Sequence, residues 1–364
     1  MSKQKPRLCI VGVGPSGISA LYQIKLRAAN EIDVECYEKQ KTWGGQWNFN
    51  WRTGTDEYGE HIPGSMYRNM WSIAPKEAAE YEDYTFEEHF GKLLPSYLPR
   101  EFFRRYIDEL LLTTRLLVII VNDCYAVQHR HRHKHRHKHK HRHRHRRGSR
   151  RPCRMRNGKC GDLSPFVHYE HVVTSVEYQE KSDDFVVWVR DLPGNKHFKE
   201  CFSHVIVATG TFSYPNMPDF PGIETFQDRI LHSHEFKEAK EFKNQTVLII
   251  GGRSSASEIA LQLIKYDAKH VICSYRNEPM NLMNLKWPKG IEEKPIVEEV
   301  KDHTVVFKDE TEHYFDTFIY CTGYRYNYPF LKGDLHFDMQ GKSDLFPDNM
   351  YKGTTWINGG ICFI

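Results

Sequence analysis

The stretch "RLCIVGVGPSGISALYQIKL" (7–26) constrains the fold most. Its apolar run, Leu8–Val11, reads as a buried strand. The run enters Gly12-x-Gly14-x-x-Gly17, then a helix with Ile18, Leu21, Ile24 and Ala28 on one face. Gly12 permits the tight turn. Gly14, with Ser16 in the same turn, lets a pyrophosphate approach the backbone. Gly17 lets helix and strand pack closely, with the helix N-terminus aimed at the phosphates. A second strand-like run, "VECYE" (34–38), ends in Glu38, twenty-one residues after Gly17. A carboxylate there meets a ribose 2′-hydroxyl. A chance Gly-rich turn is the alternative, and strand, glycines, helix and acid in one register weigh against it. Glu38 would repel a 2′-phosphate, so this site wants FAD or NAD rather than NADP.

The grammar repeats in "QTVLIIGGRSSASEIALQLIKY" (245–266). Thr246–Ile250 reads as a strand and Gly251 opens the turn. Ala256, Ile259, Leu263 and Ile264 suggest a helix face. Arg253 fills the middle-glycine position, where a side chain crowds a pyrophosphate unless it turns to pair with it. Ala256 fills the third, where alanine is allowed. The next strand, "HVICSYR" (270–276), ends in Arg276, twenty residues after Ala256. An arginine there suits the extra phosphate of NADP, although an exposed surface cation reads the same way.

Two cradles suggest a flavoprotein that takes electrons from NADPH. "HVIVATG" (204–210) and "TFIYCTG" (317–323) are apolar strands suited to carry the chain between two such domains, and "YPNMPDFPG" (214–222) reads as a hinge. The expected fold is α/β with two dinucleotide-binding, Rossmann-like domains. The FAD domain covers 1–210 and 325–364, with the NADPH domain, 211–324, inserted in it.

Charge would mislead if read over the whole chain. The net +4 rests on residues 129–160, which hold fifteen Lys/Arg and no Asp/Glu; without them the rest carries −11. No specific nucleic-acid partner is inferred from it. The nine cysteines form no Cys-x-x-Cys, which argues against a redox dithiol and fits a reducing compartment. The N-terminus runs into a strand without a signal peptide, and the apolar run at 110–121 is too short to span a bilayer and is broken by Arg115. A cytoplasmic chain without a membrane anchor is expected.

Longer segments carry a family resemblance. "EKQKTWGGQWNFNWRTGTDEYGEHIPGSMYR" (38–68), "PKEAAEYEDYTFEEHFGK" (75–92), "FQDRILHSHEF" (226–236), "EEKPIVEEV" (292–300) and "CTGYRYNYPFL" (321–331) resemble the flavin-containing monooxygenases, in particular their trimethylamine-monooxygenase-like group. The family's Phe-x-Gly-x-x-x-His-x-x-x-aromatic motif is matched by Phe226, His232 and Phe236, with Asp228 in place of the glycine. Lys237 after Phe236 tilts the resemblance toward N- or S-oxygenation and away from ketone oxidation.

The resemblance implies FAD and NADPH as cofactors. It implies transfer of one oxygen atom from O2 to an amine or sulfide by way of a C4a-hydroperoxyflavin. It implies that Glu38 and Gln40 hold the FAD adenosine side, that Gln46 and Trp47 lie along the flavin, and that Trp71 lines the nicotinamide side. Ser254, Ser255 and Arg276 would contact NADP. Trp43 and Trp51 are expected in the core. No metal site is expected, and a homodimer is left open.

Three departures bear on activity. In "WSIAPKE" Ile73 stands where the family has an asparagine near the flavin, and isoleucine donates no side-chain hydrogen bond. Faster decay with release of hydrogen peroxide is the expected consequence, so an impaired family member is the alternative function. The chain stops at "YKGTTWINGGICFI", before a late FAD-domain strand and a helix that the family supplies. Residues 110–169 have no family counterpart. They include a tract (129–147) in which histidine alternates with Lys or Arg from His129 to His145. With no apolar residue and like charges at every second position, disorder is its expected state. Metal chelation, polyanion binding and a translated DNA repeat are the competing accounts of it.

Overall fold

The computed structural model describes residues 5–80, 84–112, 162–276, 287–336, 350–351, 354–355 and 361–363. The chain begins β1 (Arg7–Val11), α1 (Pro15–Ala28), β2 (Asp33–Glu38), α2 (Phe86–Phe90) and α3 (Arg100–Leu112). It continues with β3 (Val167–Tyr169), β4 (His171–Gln179), β5 (Asp184–Asp191), β6 (Lys196–Phe202), β7 (His204–Val207) and β8 (Tyr214–Pro215). Next come β9 (Arg229–His232), β10 (Thr246–Ile250), α4 (Ser254–Lys265), β11 (His270–Ser274) and β12 (Ile291–Lys294). The last strands are β13 (Val297–Lys301), β14 (Thr304–Phe307), β15 (Glu312–Tyr314), β16 (Thr317–Tyr320), β17 (Tyr324–Arg325), β18 (Met350–Tyr351), β19 (Thr354–Thr355) and β20 (Ile361–Phe363).

Two five-stranded sheets organise the molecule, ordered β20-β7-β1-β2-β3 and β12-β11-β10-β16-β9, and every pairing within them is parallel. Parallel strands are covered on both faces, which is why their central members are nearly continuous apolar runs. In the first sheet successive side chains divide between the faces. Ile10 packs with α1 and α3 through Ile18, Leu21, Phe103 and Tyr106. Cys9 and Val11 pack with the antiparallel β4-β5-β6 sheet through Val187, Val189 and Phe202. The second sheet repeats the plan. Val247 and Ile249 meet α4, while Leu248 and Ile250 meet the antiparallel β13-β14-β15 sheet.

The chain leaves the first unit at β8 and returns at β17. These two strands pair antiparallel, Tyr324 with Pro215 and Arg325 with Tyr214. The second sheet is thus inserted in the chain of the first, as the two cradles and their apolar linking strands predict.

Some expectations change. Val167–Tyr169, inside the segment expected to lack a counterpart, is an edge strand paired with β2, so the sheet reaches into that segment. At the end of the chain Ile361–Phe363 adds a parallel edge strand to β7. Trp51 is half exposed, under Arg68 and edge-on to Phe49, and is not a core residue. Trp43 packs against the first core, as expected. The tract at 129–147 lies outside the described residues.

Candidate functional site: two glycine-lined cradles and the segment between them

At the first cradle Gly12 has φ +93°, and a Cβ there would lie 2.7 Å from the carbonyl oxygen of Ala208. A Cβ on Gly17 would sit 2.0 Å from the carbonyl oxygen of Gly12, so only glycine lets α1 approach the turn. Gly14 is different. Its backbone is extended and a Cβ would make an ordinary contact, 3.6 Å from Gly45. Gly14 precedes a 14-residue helix with no side-chain cap and no acidic residue in its first turn. The N–H groups of Ser16 and Gly17 have no carbonyl ahead of them in the helix, which leaves an N-terminus suited to a phosphate.

Glu38 is buried at the end of β2 and holds this turn. Its carboxylate accepts the N–H of Val13 at 2.7 Å and that of Gln40 at 2.9 Å. Burial pushes its pKa up, and the two backbone hydrogen bonds pull against that. Each oxygen keeps a second lone pair for a ribose hydroxyl. The facing wall is the Gly44–Gly45 turn, pinned by the Gly44 N–H to the Val13 carbonyl at 2.9 Å. Gln40 closes the corner, accepting from the Asn48 amide at 3.1 Å. Gln46 lies in the short helix Gly45–Trp47. Trp47 stacks on Phe103 at 4.9 Å and so braces that helix against α3.

At the second cradle Gly251 has φ +127°, and a Cβ there would lie 2.4 Å from the carbonyl oxygen of Cys321. Its N–H bonds to Ser274 at 2.9 Å. Arg253, exposed, precedes the 12-residue α4, which also lacks a side-chain cap and a first-turn acid. Ser254 and Ser255 form the half-buried first turn and Ala256 is buried, as an alanine in the third-glycine position requires. Arg276 is exposed two residues past the end of β11.

Between the cradles runs the segment 67–73. Trp71 is half exposed and bridges Pro99, and Ile73 is 67% exposed. A groove of about 420 Å³ opens here, lined by Trp71, Pro99, Glu258, Leu261, Gln262 and Tyr266 among others. Nearby, His61 stacks on Tyr214 at 5.1 Å and on the buried His234 at 5.6 Å, joining β8, the 38–68 segment and the loop after β9. His232 is fully buried and its Nδ1 accepts the His234 N–H at 3.1 Å, a structural role. Burial holds both imidazoles near pKa 4. Phe226 and Phe236 are core residues, and Asp228 forms a pair with His303.

The folded chain therefore gathers Gly12, Gly14, Ser16, Gly17, Glu38, Gln40, Gln46 and Trp47 at one cradle. It gathers Gly251, Ser254, Ser255 and Arg276 at the other, with Trp71 and Ile73 on the segment between. The motifs alone missed the facing Gly44–Gly45 turn, whose adjacent glycines were the available signal. They also missed Glu258, an acid four residues before Gln262 on an amphipathic helix. No described helix is long and apolar enough to cross a membrane.

Two parallel sheets, each with a helix N-terminus open above a glycine turn, define a protein with two dinucleotide cradles, the architecture of an oxidoreductase that uses two such cofactors. The profile of the flavin-binding monooxygenase-like family matches residues 5–126, and that of the pyridine nucleotide-disulphide oxidoreductases matches 166–352. The chain is 37% identical over 353 residues to a trimethylamine monooxygenase of Methylocella silvestris, covering 96% of this chain and 67% of that protein. It is 38% identical over 363 residues to one of Roseovarius sp. (strain 217), covering 99% and 69%. The crystal structure of Tmm from Pelagibacter sp. strain HTCC7211 superposes with a TM-score of 0.78 at 33% identity, over 98% of this chain and 70% of that one. The chain belongs to the flavin-containing monooxygenase family, in its trimethylamine-monooxygenase-like group. Its cofactors are FAD and NADPH, and both cradles fit them.

Proposed function

We propose that the chain N-oxygenates a small tertiary amine such as trimethylamine, in the cytoplasm, using NADPH and O2. The observation that carries this reading is the pair of open, glycine-lined helix N-termini on two sheets joined at β8 and β17. The identity to trimethylamine monooxygenases supports the substrate class. The FAD domain takes 1–210 and 325–364 and the NADPH domain 211–324.

Gly12, Gly14, Ser16 and Gly17 present backbone to the FAD pyrophosphate. Glu38 and Gln40 hold its ribose side, and Gln46 and Trp47 shape the flavin's edge. Gly251, Ser254 and Ser255 take the NADPH pyrophosphate, and Arg276 pairs with the 2′-phosphate. Trp71 shields the nicotinamide side from water. The chemistry that bound flavin supplies is hydride acceptance from NADPH and activation of O2, so that one oxygen atom goes to the amine nitrogen and the other to water.

One observation favours a second reading. Ile73, at the family's asparagine position, is largely exposed and offers no donor, which suits an enzyme that releases hydrogen peroxide in place of oxygenated amine. The test is the visible spectrum of the purified chain, followed by NADPH oxidation with and without trimethylamine. Flavin absorbance with amine-dependent oxidation and N-oxide formation supports oxygenation. Oxidation matched by hydrogen peroxide supports the second reading. A chain that takes up no FAD overturns both.

A further inference from the structure

We infer that Glu258 is a positioning residue that clasps the 67–73 segment to the NADPH cradle helix and so sets how the nicotinamide meets the flavin. Glu258 lies on α4, one turn past Ser254 and Ser255. One carboxylate oxygen accepts the Trp71 N–H at 2.8 Å, and the other accepts the Tyr67 hydroxyl. The carboxylate therefore grips both ends of a five-residue stretch.

The same helix face continues the grip. Gln262 donates to the Asn69 carbonyl at 3.0 Å and to Glu258 at 3.3 Å, and Asn69 donates to the Tyr266 hydroxyl at 3.0 Å. Residues 258, 262 and 266 are one turn apart and share that face.

The opposite side of the stretch is fixed to the other unit. Arg100 N–H bonds to the Met70 carbonyl at 3.0 Å, Ser72 N–H to the Leu98 carbonyl at 2.9 Å, and Trp71 bridges Pro99. These partners lead into α3, which packs in the core of the first sheet. Segment 67–73 is thus held by the FAD side through 98–100 and by the NADPH side through Glu258. The hydrogen bonds to Glu258 end on a half-buried carboxylate and are charge-assisted, which makes them the strong ones of the set. Cutting them leaves each cradle intact and loosens the register between them.

The inference rests on the proposed use of NADPH to reduce FAD, and its test separates the two. The FAD-loaded full chain is compared with Glu258→Ala and Glu258→Gln. Three quantities are read: amide hydrogen exchange at 67–73, the dissociation constant for NADP+, and the rate constant of flavin reduction by NADPH. Glutamine keeps an acceptor for the Trp71 N–H and a donor for the Tyr67 oxygen.

In the alanine variant, Trp71 exchange should rise about tenfold and reduction should slow about tenfold, while NADP+ affinity stays within about twofold. Glutamine should restore both rates. Unchanged exchange and reduction in the alanine variant overturn the inference. So does a loss of NADP+ affinity that parallels the rate, since that would make Glu258 a support of the phosphate cradle only. If Glu258→Ala does not fold, Tyr67→Phe removes one arm of the clasp; about threefold effects support the inference and none overturns it. A parent that NADPH does not reduce, with Trp71 exchange still accelerated in the variant, upholds the clasp and overturns the monooxygenase reading.

Discussion

The carboxylate of Glu38 accepts the backbone N–H of Val13 at 2.7 Å, across the mouth of the first glycine turn. The acid that the motif assigns to a ribose therefore also fixes the glycine turn itself. Glu38→Gln puts an amide donor against one of two backbone donors. The expected loss is about 1–3 kcal/mol in stability, with weaker FAD retention. Urea midpoints and the flavin-to-protein absorbance ratio measure the two effects.

Gly14 and Gly17 should behave differently although both belong to one motif. Gly17→Ala drives a Cβ into the Gly12 carbonyl, so the turn must shift, at a cost of about 1–3 kcal/mol or more, and flavin is lost. Gly14→Ala meets only ordinary contacts, so the melting temperature should hold while the methyl group narrows the approach of the pyrophosphate. Thermal unfolding and FAD titration of the two apo-proteins distinguish them; equal destabilisation would contradict the geometry.

Arg276 is exposed past β11, and the proposed function has it pair with a 2′-phosphate. Arg276→Ala would remove that proposed charge-assisted pair, so the NADPH KM should rise by roughly ten- to a hundredfold. NADH, which lacks that phosphate, should be affected little. Parallel steady-state assays with the two nucleotides give the ratio.

Ile73→Asn introduces the side-chain donor that the family resemblance implies at this position. Less hydrogen peroxide should form per NADPH consumed, with flavin content unchanged. A peroxidase-coupled assay run beside NADPH oxidation reads this, and an unaltered ratio would show that Ile73 does not limit coupling.

His232 and His234, both buried, are depressed to about 4 by burial. Folded, they bind protons more weakly than unfolded, so the unfolded chain gains protons first as pH falls below 6.5. Stability therefore declines between pH 6.5 and about 4, at up to about 1.4 kcal/mol per pH unit for each histidine. His234→Gln retains a donor for the Ile62 carbonyl, which His234 contacts at 3.1 Å, and removes one titrating group. The slope of unfolding free energy against pH should fall by about one proton over that window.

Much was legible from local order. Gly12, Gly14, Gly17 and Glu38, and then Gly251 with Arg276, announce themselves because strand, turn and helix follow within one short stretch. The buried parallel strands are continuous apolar runs for the same reason. Trp51 misled because an aromatic residue reads as core whichever way it faces. The edge strand at Ile361–Phe363 was not legible because three residues carry too little pattern; its place on β7 comes from pairing.

The sequence by itself determined the two cradles, their cofactors and the family, since each depends on neighbours in the chain. Only the tertiary structure decided how the cradles are joined. Glu258 meets Tyr67 across 191 positions and His234 meets Ile62 across 172, and no periodicity links residues so far apart. Those contacts form because the chain crosses at β8 and returns at β17, bringing α4 down onto the segment that ends in Trp71 and Ile73.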